Sequence, residues 1–92
     1  MSEELECFRQ AAKLGCPDFR WNENVALPEF SVPFCGEWQM LPMDGEDQIN
    51  RYAAAVCAEF LHNWVAPNMV ESHKRGELVT QARAFGKKYG AQ

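Results

Sequence analysis

Four cysteines, two histidines and thirteen carboxylates are the first side chains to test for metal binding, nucleophilic attack or proton transfer. Cys7, Cys16, Cys35 and Cys57 are separated by 8, 18 and 21 residues, so no Cys-x-x-Cys pair seeds a tetrahedral zinc site. Glu59-x-x-His62 matches half of the di-iron carboxylate pattern, which needs a second copy from another helix, and none is present. Cysteine catalysis needs a thiolate beside a base. Cys57 and His62 are about 140° apart around one helix and do not pair. Cys35, next to Gly36, is the best candidate for an exposed thiol. It carries the third-ranked reading, a cysteine-dependent enzyme. No glycine-rich phosphate loop and no Gly-x-Ser-x-Gly elbow occurs. The expectation is a protein that is not an enzyme, with no catalytic residue, no metal and no cofactor.

The elements that would have to position a site fit one domain. The chain has 92 residues, 47% of them hydrophobic, 12% aromatic and 24% charged, which is the make-up of a folded domain. The longest apolar run, Ala53 to Ala58, is far short of the roughly 18 residues a membrane span needs. The acidic stretch Met1–Glu6 is unlike the basic start of a secretory signal, so a cytoplasmic protein with reduced thiols is expected.

Three stretches have helical periodicity. The first runs over residues 3–14, with Ser2 as N-cap and Gly15 as stop; Cys7, Phe8, Ala11 and Ala12 fall on its apolar side. The second runs over 46–65, capped by Asp44 or Gly45 and ended by Pro67. Its predicted core stripe is Ile49, Ala53, Val56, Phe60 and Trp64, flanked by Tyr52 and Cys57. Opposite lies a narrow stripe of Arg51, Ala55, Ala58 and His62. The alanines there are either plain helix formers or a surface for close approach by another helix, a partner or a second copy in a homodimer. The third helical region covers 69–89, with a break at Gly76 left open and a core stripe of Leu78, Ala82, Phe85 and Tyr89.

Residues 15–45 hold four of the five prolines and five aromatics, Phe19, Trp21, Phe30, Phe34 and Trp38, so the segment is packed and not a linker. Phe30, Val32 and Phe34 alternate with Ser31 and Pro33. Gly36-Glu37 is placed to turn Phe30–Cys35 back onto Trp38–Leu41 as a hairpin, with Pro33 confining that strand to an edge. An ordered loop is the alternative. The predicted fold class is mainly α (α or α+β): a small single domain of about three helices around an aromatic, proline-rich irregular segment.

Charge divides along the chain. Residues 1–60 carry eleven acids and four bases, net −7, and residues 61–92 carry two acids and five bases, net +3. This points to internal complementarity or to a polarised binding surface. The candidate acidic and aromatic face is Glu37, Trp38, Asp44, Glu46 and Asp47, with Trp21, Phe30, Phe34, Met40 and Met43 as interface-type residues in the same segment. The candidate basic face is Lys74, Arg75, Arg83, Lys87 and Lys88, for a partner or for nucleic acid.

With no catalytic constellation, binding is the function class left. The expectation is an adaptor or inhibitor that docks on a larger protein or ribonucleoprotein, with nucleic acid as a secondary contact and no membrane. The alternative is a nucleic-acid-binding regulator using the basic C-terminal helix. No motif identifies a family. Small, acidic, motif-poor domains are a usual profile of phage-encoded inhibitors of host machinery, anti-CRISPR proteins among them, a similarity of size and composition alone.

Overall fold

Gly15 ends the first helix by a mechanism its sequence position implies. In the computed structural model, which describes residues 3–64 and 72–90, a 3₁₀ turn at Glu3–Leu5 leads into helix α1, Glu6–Lys13. Gly15 then takes φ +95°. Its N–H donates to the Ala12 carbonyl and that of Cys16 to the Ala11 carbonyl, the paired bonds of a Schellman cap. Cys7, Phe8 and Ala11 are buried as expected. Leu5, not Ser2, precedes the α-helical residues; Ser2 lies outside the described residues.

The segment treated as irregular forms a three-stranded antiparallel sheet: β1, Phe19–Asn22; β2, Leu27–Ser31; β3, Trp38–Met40, in the order β1-β2-β3. The expected hairpin is β2–β3, with Ser31 opposite Trp38 and Glu29 opposite Met40. Two details differ. A further strand, β1, pairs Phe19 with Phe30 and Arg20 with Glu29, so β2 is central and not an edge. Pro33 lies beyond β2, in the connecting turn. The proline inside the central strand is Pro28, tolerated because its nitrogen lies toward the β3 side just where that ladder ends, at the Leu41 N–H to Pro28 carbonyl bond.

Helices α2, Asp47–Asn63, and α3, Ser72–Tyr89, complete the fold. Glu46, not Asp44 or Gly45, occupies the N-cap position of α2 and uses no side-chain cap bond. The predicted end at Val65 and start at Met69 lie outside the described residues. Helix α3 continues through Gly76 without a break.

The buried face of α2 is rotated by about 90° from the predicted stripe. Asn50, Ala53, Ala54, Cys57, Ala58 and Leu61 are buried, while Tyr52 is exposed and Ile49, Val56, Phe60 and Trp64 are only partly covered. The cause is α3, which docks on the small residues. A Cβ on Gly86 would stand 3.0 Å from the Ala54 Cβ, and one on Gly90 would stand 2.7 Å from the Arg51 backbone nitrogen. Val56, Phe60 and Trp64 instead wall an open cleft against Cys16 and Pro17. The α3 stripe of Leu78, Ala82 and Phe85 is buried as expected.

One aromatic chain ties the layers together. Phe85 of α3 meets Phe8 of α1 edge-on at 4.7 Å, Phe8 meets Phe19 of β1 at 5.3 Å, and Phe19 meets Phe30 of β2 at 5.2 Å. Such pairs contribute about 0.5–1.5 kcal/mol each beyond burial. Helices and sheet therefore share a single core.

Candidate docking surfaces

The connection between β2 and β3 is a tight turn. The Cys35 N–H donates to the Val32 carbonyl at 3.3 Å, with Pro33 in the second position and Phe34 in the third at φ +71°. This is a type II arrangement, in which the third position ordinarily requires glycine. A bulky residue there carries about 1–3 kcal/mol of backbone strain. The Phe34 ring recovers none of it by burial, since its exposure is 109%. Residue type alone does not tell the aromatics of this segment apart. The signal that separates Phe34 from the others is its place two residues before Gly36 and directly after a proline.

Beside the turn, Val32, Cys35, Gln39, Met43, Glu46 and Ile49 surround a hollow of about 210 Å³. The predicted acidic and aromatic face is divided around it. Glu37, Asp44 and Glu46 are exposed and Asp47 is half-buried. The strand pleat sends Gln39 toward the hollow and Trp38 to the opposite side of the sheet. There the Arg20 guanidinium lies 4.4 Å above the Trp38 ring while its Nε donates to Glu29 at 2.7 Å. Trp38 is thus partly covered by its own chain and is not grouped with Glu46 and Asp47. Met40, on the Trp38 side, is exposed, and Phe30 is in the core.

The predicted basic face is also divided. Lys88 donates to Glu4 at 3.1 Å, and that carboxylate, with Tyr89 second, raises its pKa. Arg75 donates to the Trp64 carbonyl at 3.0 Å. Lys74 is exposed half a turn around α3 from Arg83. Only Arg83 and Lys87 come together, joined by Arg51 from α2 around a groove of about 290 Å³ floored by Ala54, Ala55 and Gly86. Arg51 is held by two bonds from its guanidinium to the Gly90 carbonyl, at 3.0 and 2.7 Å, a cation at the end of α3. Along α2, Ala55 and His62 are exposed but Ala58 is buried, so the four residues line the α2–α3 seam and do not form one exposed stripe.

No protein-family model matches the sequence, and no curated protein or solved structure is similar to it. The assignment of a role rests on the chain's own geometry.

The thiols behave as two kinds. Cys57 is fully buried and donates to the Cys7 carbonyl at 3.5 Å. Its hydrogen bond with the Cys7 thiol, then burial, pushes its pKa far up. Burial also raises that of Cys16. These two sulfurs stay protonated and unreactive at neutral pH. Cys35 is exposed on the turn beside Phe34. Among the described residues no three His, Cys, Asp or Glu side chains converge as metal ligands, and no helix is long and apolar enough to cross a membrane.

Proposed function

We propose that this chain is a non-enzymatic docking protein of the cytoplasm, an adaptor or inhibitor that engages a larger protein or ribonucleoprotein through the Phe34 turn and the carboxylates near it. The observation that carries the reading is Phe34: a fully exposed aromatic held in a left-handed backbone conformation on a short, hydrogen-bonded turn. A strained conformation that displays an apolar ring to water costs stability and returns none within the monomer. Its return comes when the ring fills a pocket on a partner, where aromatic anchors supply a large share of binding energy. Pro33 and the turn hydrogen bonds hold the backbone beneath the ring beforehand, which lowers the entropy lost on docking. Glu37 and Glu46 near the turn favour a partner with a basic rim. In its specific form the reading is an inhibitor of the phage type, anti-CRISPR proteins included, whose carboxylates stand where phosphates would bind.

The alternative, a nucleic-acid regulator acting through the C-terminal basic helix, has less support, because Arg75 and Lys88 are engaged within the chain and Lys74 lies away from Arg83.

The test is affinity capture from native lysate with tagged wild type and Phe34→Ala, each with and without nuclease. A stoichiometric protein that survives nuclease and disappears with Phe34→Ala is the expected result. Partners that vanish with nuclease, or that ignore the substitution, overturn the reading.

A further inference from the structure

Helices α2 and α3 approach so closely that their shared surface is a shallow trough. Its floor is Ala54, Ala55 and Gly86, and its rim is Arg51, Arg83 and Lys87. Ala55 and Arg83 also line an adjoining hollow of about 380 Å³ with Ala58, Glu59 and His62. The two hollows form one groove that follows α2 from Arg51 to His62, about 16 Å of helix axis. Arg83 and Lys87 make no hydrogen bond or ion pair among the described residues, although carboxylates outnumber bases thirteen to nine in the chain.

We infer that this groove binds an acidic amphipathic helix of about three turns, laid between α2 and α3 as a third helix. Three features select that occupant. The floor carries no side chain larger than methyl, so a helix with small apolar residues on one face can settle against it, the helix-in-groove mode of recognition. Arg83 and Lys87 are four residues apart on one helical row, about 6 Å, the spacing of glutamates at i and i+4 on a second helix. Charge then chooses between polyanions. The groove holds three bases and one acid, net +2, while the rest of the chain holds six bases and twelve acids, net −6. A long nucleic acid that entered the groove would continue across that acidic surface and be repelled. A helix as short as the groove would not. A second copy of this chain would bring its own net +2 groove against this one, a like-charge contact. The inference does not depend on the Phe34 reading, because the two surfaces share no residue.

The probe is a fluorescein-labelled 15-residue peptide of alternating Glu- and Ala/Leu-rich turns with glutamates at i and i+4. Binding is followed by anisotropy at about 10 mM ionic strength, where charges act over about 30 Å. A Lys-for-Glu version and a 15-nucleotide single-stranded DNA serve as the other arms. Saturable binding of the acidic peptide is expected, weakened about tenfold or more by Arg83→Glu with Lys87→Glu and, separately, by Ala55→Gln. All three positions are exposed, and thermal melting checks that the variants fold. Phe34→Ala should leave peptide binding unchanged, so failure here and failure of the docking reading remain distinguishable. Absent binding, binding that ignores both variants, or DNA binding as tight as the peptide overturns the inference. So does a dimer in sedimentation that Ala55→Gln dissolves.

Discussion

The Asn50 side-chain amide donates to the Tyr89 carbonyl at 3.1 Å, joining the first turn of α2 to the last turn of α3 across thirty-nine residues of sequence. The same side chain accepts from the Met43 N–H at 2.8 Å and donates to the Met43 carbonyl at 3.0 Å. Asn50 is 2% exposed. One buried amide thus fixes the chain entering α2 and the end of α3 together. Replacing it strands polar groups away from water, and each such group costs about 1–3 kcal/mol. Asn50→Ala should lower unfolding stability by about 2–4 kcal/mol in urea titration, a large share of what a domain of this size possesses. A loss under 1 kcal/mol would show that water replaces the amide at no cost.

Two glycines of α3 and its end should respond with opposite sign. Gly76 has nothing within 4 Å of a built Cβ and sits inside the helix, so Gly76→Ala should stabilise by about 0.5–1 kcal/mol. Gly90→Ala drives a methyl into the Arg51 backbone and displaces the carbonyl that holds the Arg51 guanidinium. It should destabilise by about 1–3 kcal/mol. Paired thermal melts read the contrast, and equal shifts would mean that α2 and α3 are not in close contact at this end.

Phe34→Gly should trade function for stability. Glycine accepts φ +71° without a Cβ clash, and the lost ring was not packed, so the free protein should gain about 1 kcal/mol. Partner capture should fall together with that gain. A destabilised Phe34→Gly would indicate that the ring contacts its own chain in solution.

Alkaline pH should weaken the fold through Cys57. Its folded pKa lies well above the ordinary 9.0, so between the two values the unfolded chain loses a proton that the native state retains. The contribution is fully present below pH about 9 and is lost as pH rises past it, at about 1.4 kcal/mol per pH unit for one thiol. Cys57→Ala should flatten that slope in urea titrations from pH 8 to 10. In the native state, brief alkylation at pH 7.5 should modify Cys35 alone, with Cys7, Cys16 and Cys57 reacting only after unfolding.

Local pattern and local chemistry carried the first helix, its Gly15 stop, the Leu78–Phe85 stripe and the β2–β3 hairpin, because each depends on neighbours within a few residues. Strand β1 escaped because four residues, Phe19–Asn22, are too short to show a period, and only pairing with β2 makes them a strand. The face of α2 escaped for a different reason. Hydropathy weighs Ile49, Val56 and Phe60 above Ala54 and Ala58, yet a helix packs where backbones can approach, and Gly86 of α3 meets the alanines. The same docking decides which charges gather. Arg83 and Lys87 share a helical row by sequence alone, but Arg51, more than thirty residues earlier, joins them only because α3 lies along α2. Phe34 is the last case. Its type alone reads as core, and a hydrogen-bonded turn places it in water. Sequence by itself determined the presence of three helices, the Gly15 stop of the first and the supply of charge and aromatic side chains. Tertiary packing decided which of those side chains are covered and which are left for a partner, because burial is a property of two surfaces and a sequence lists one at a time.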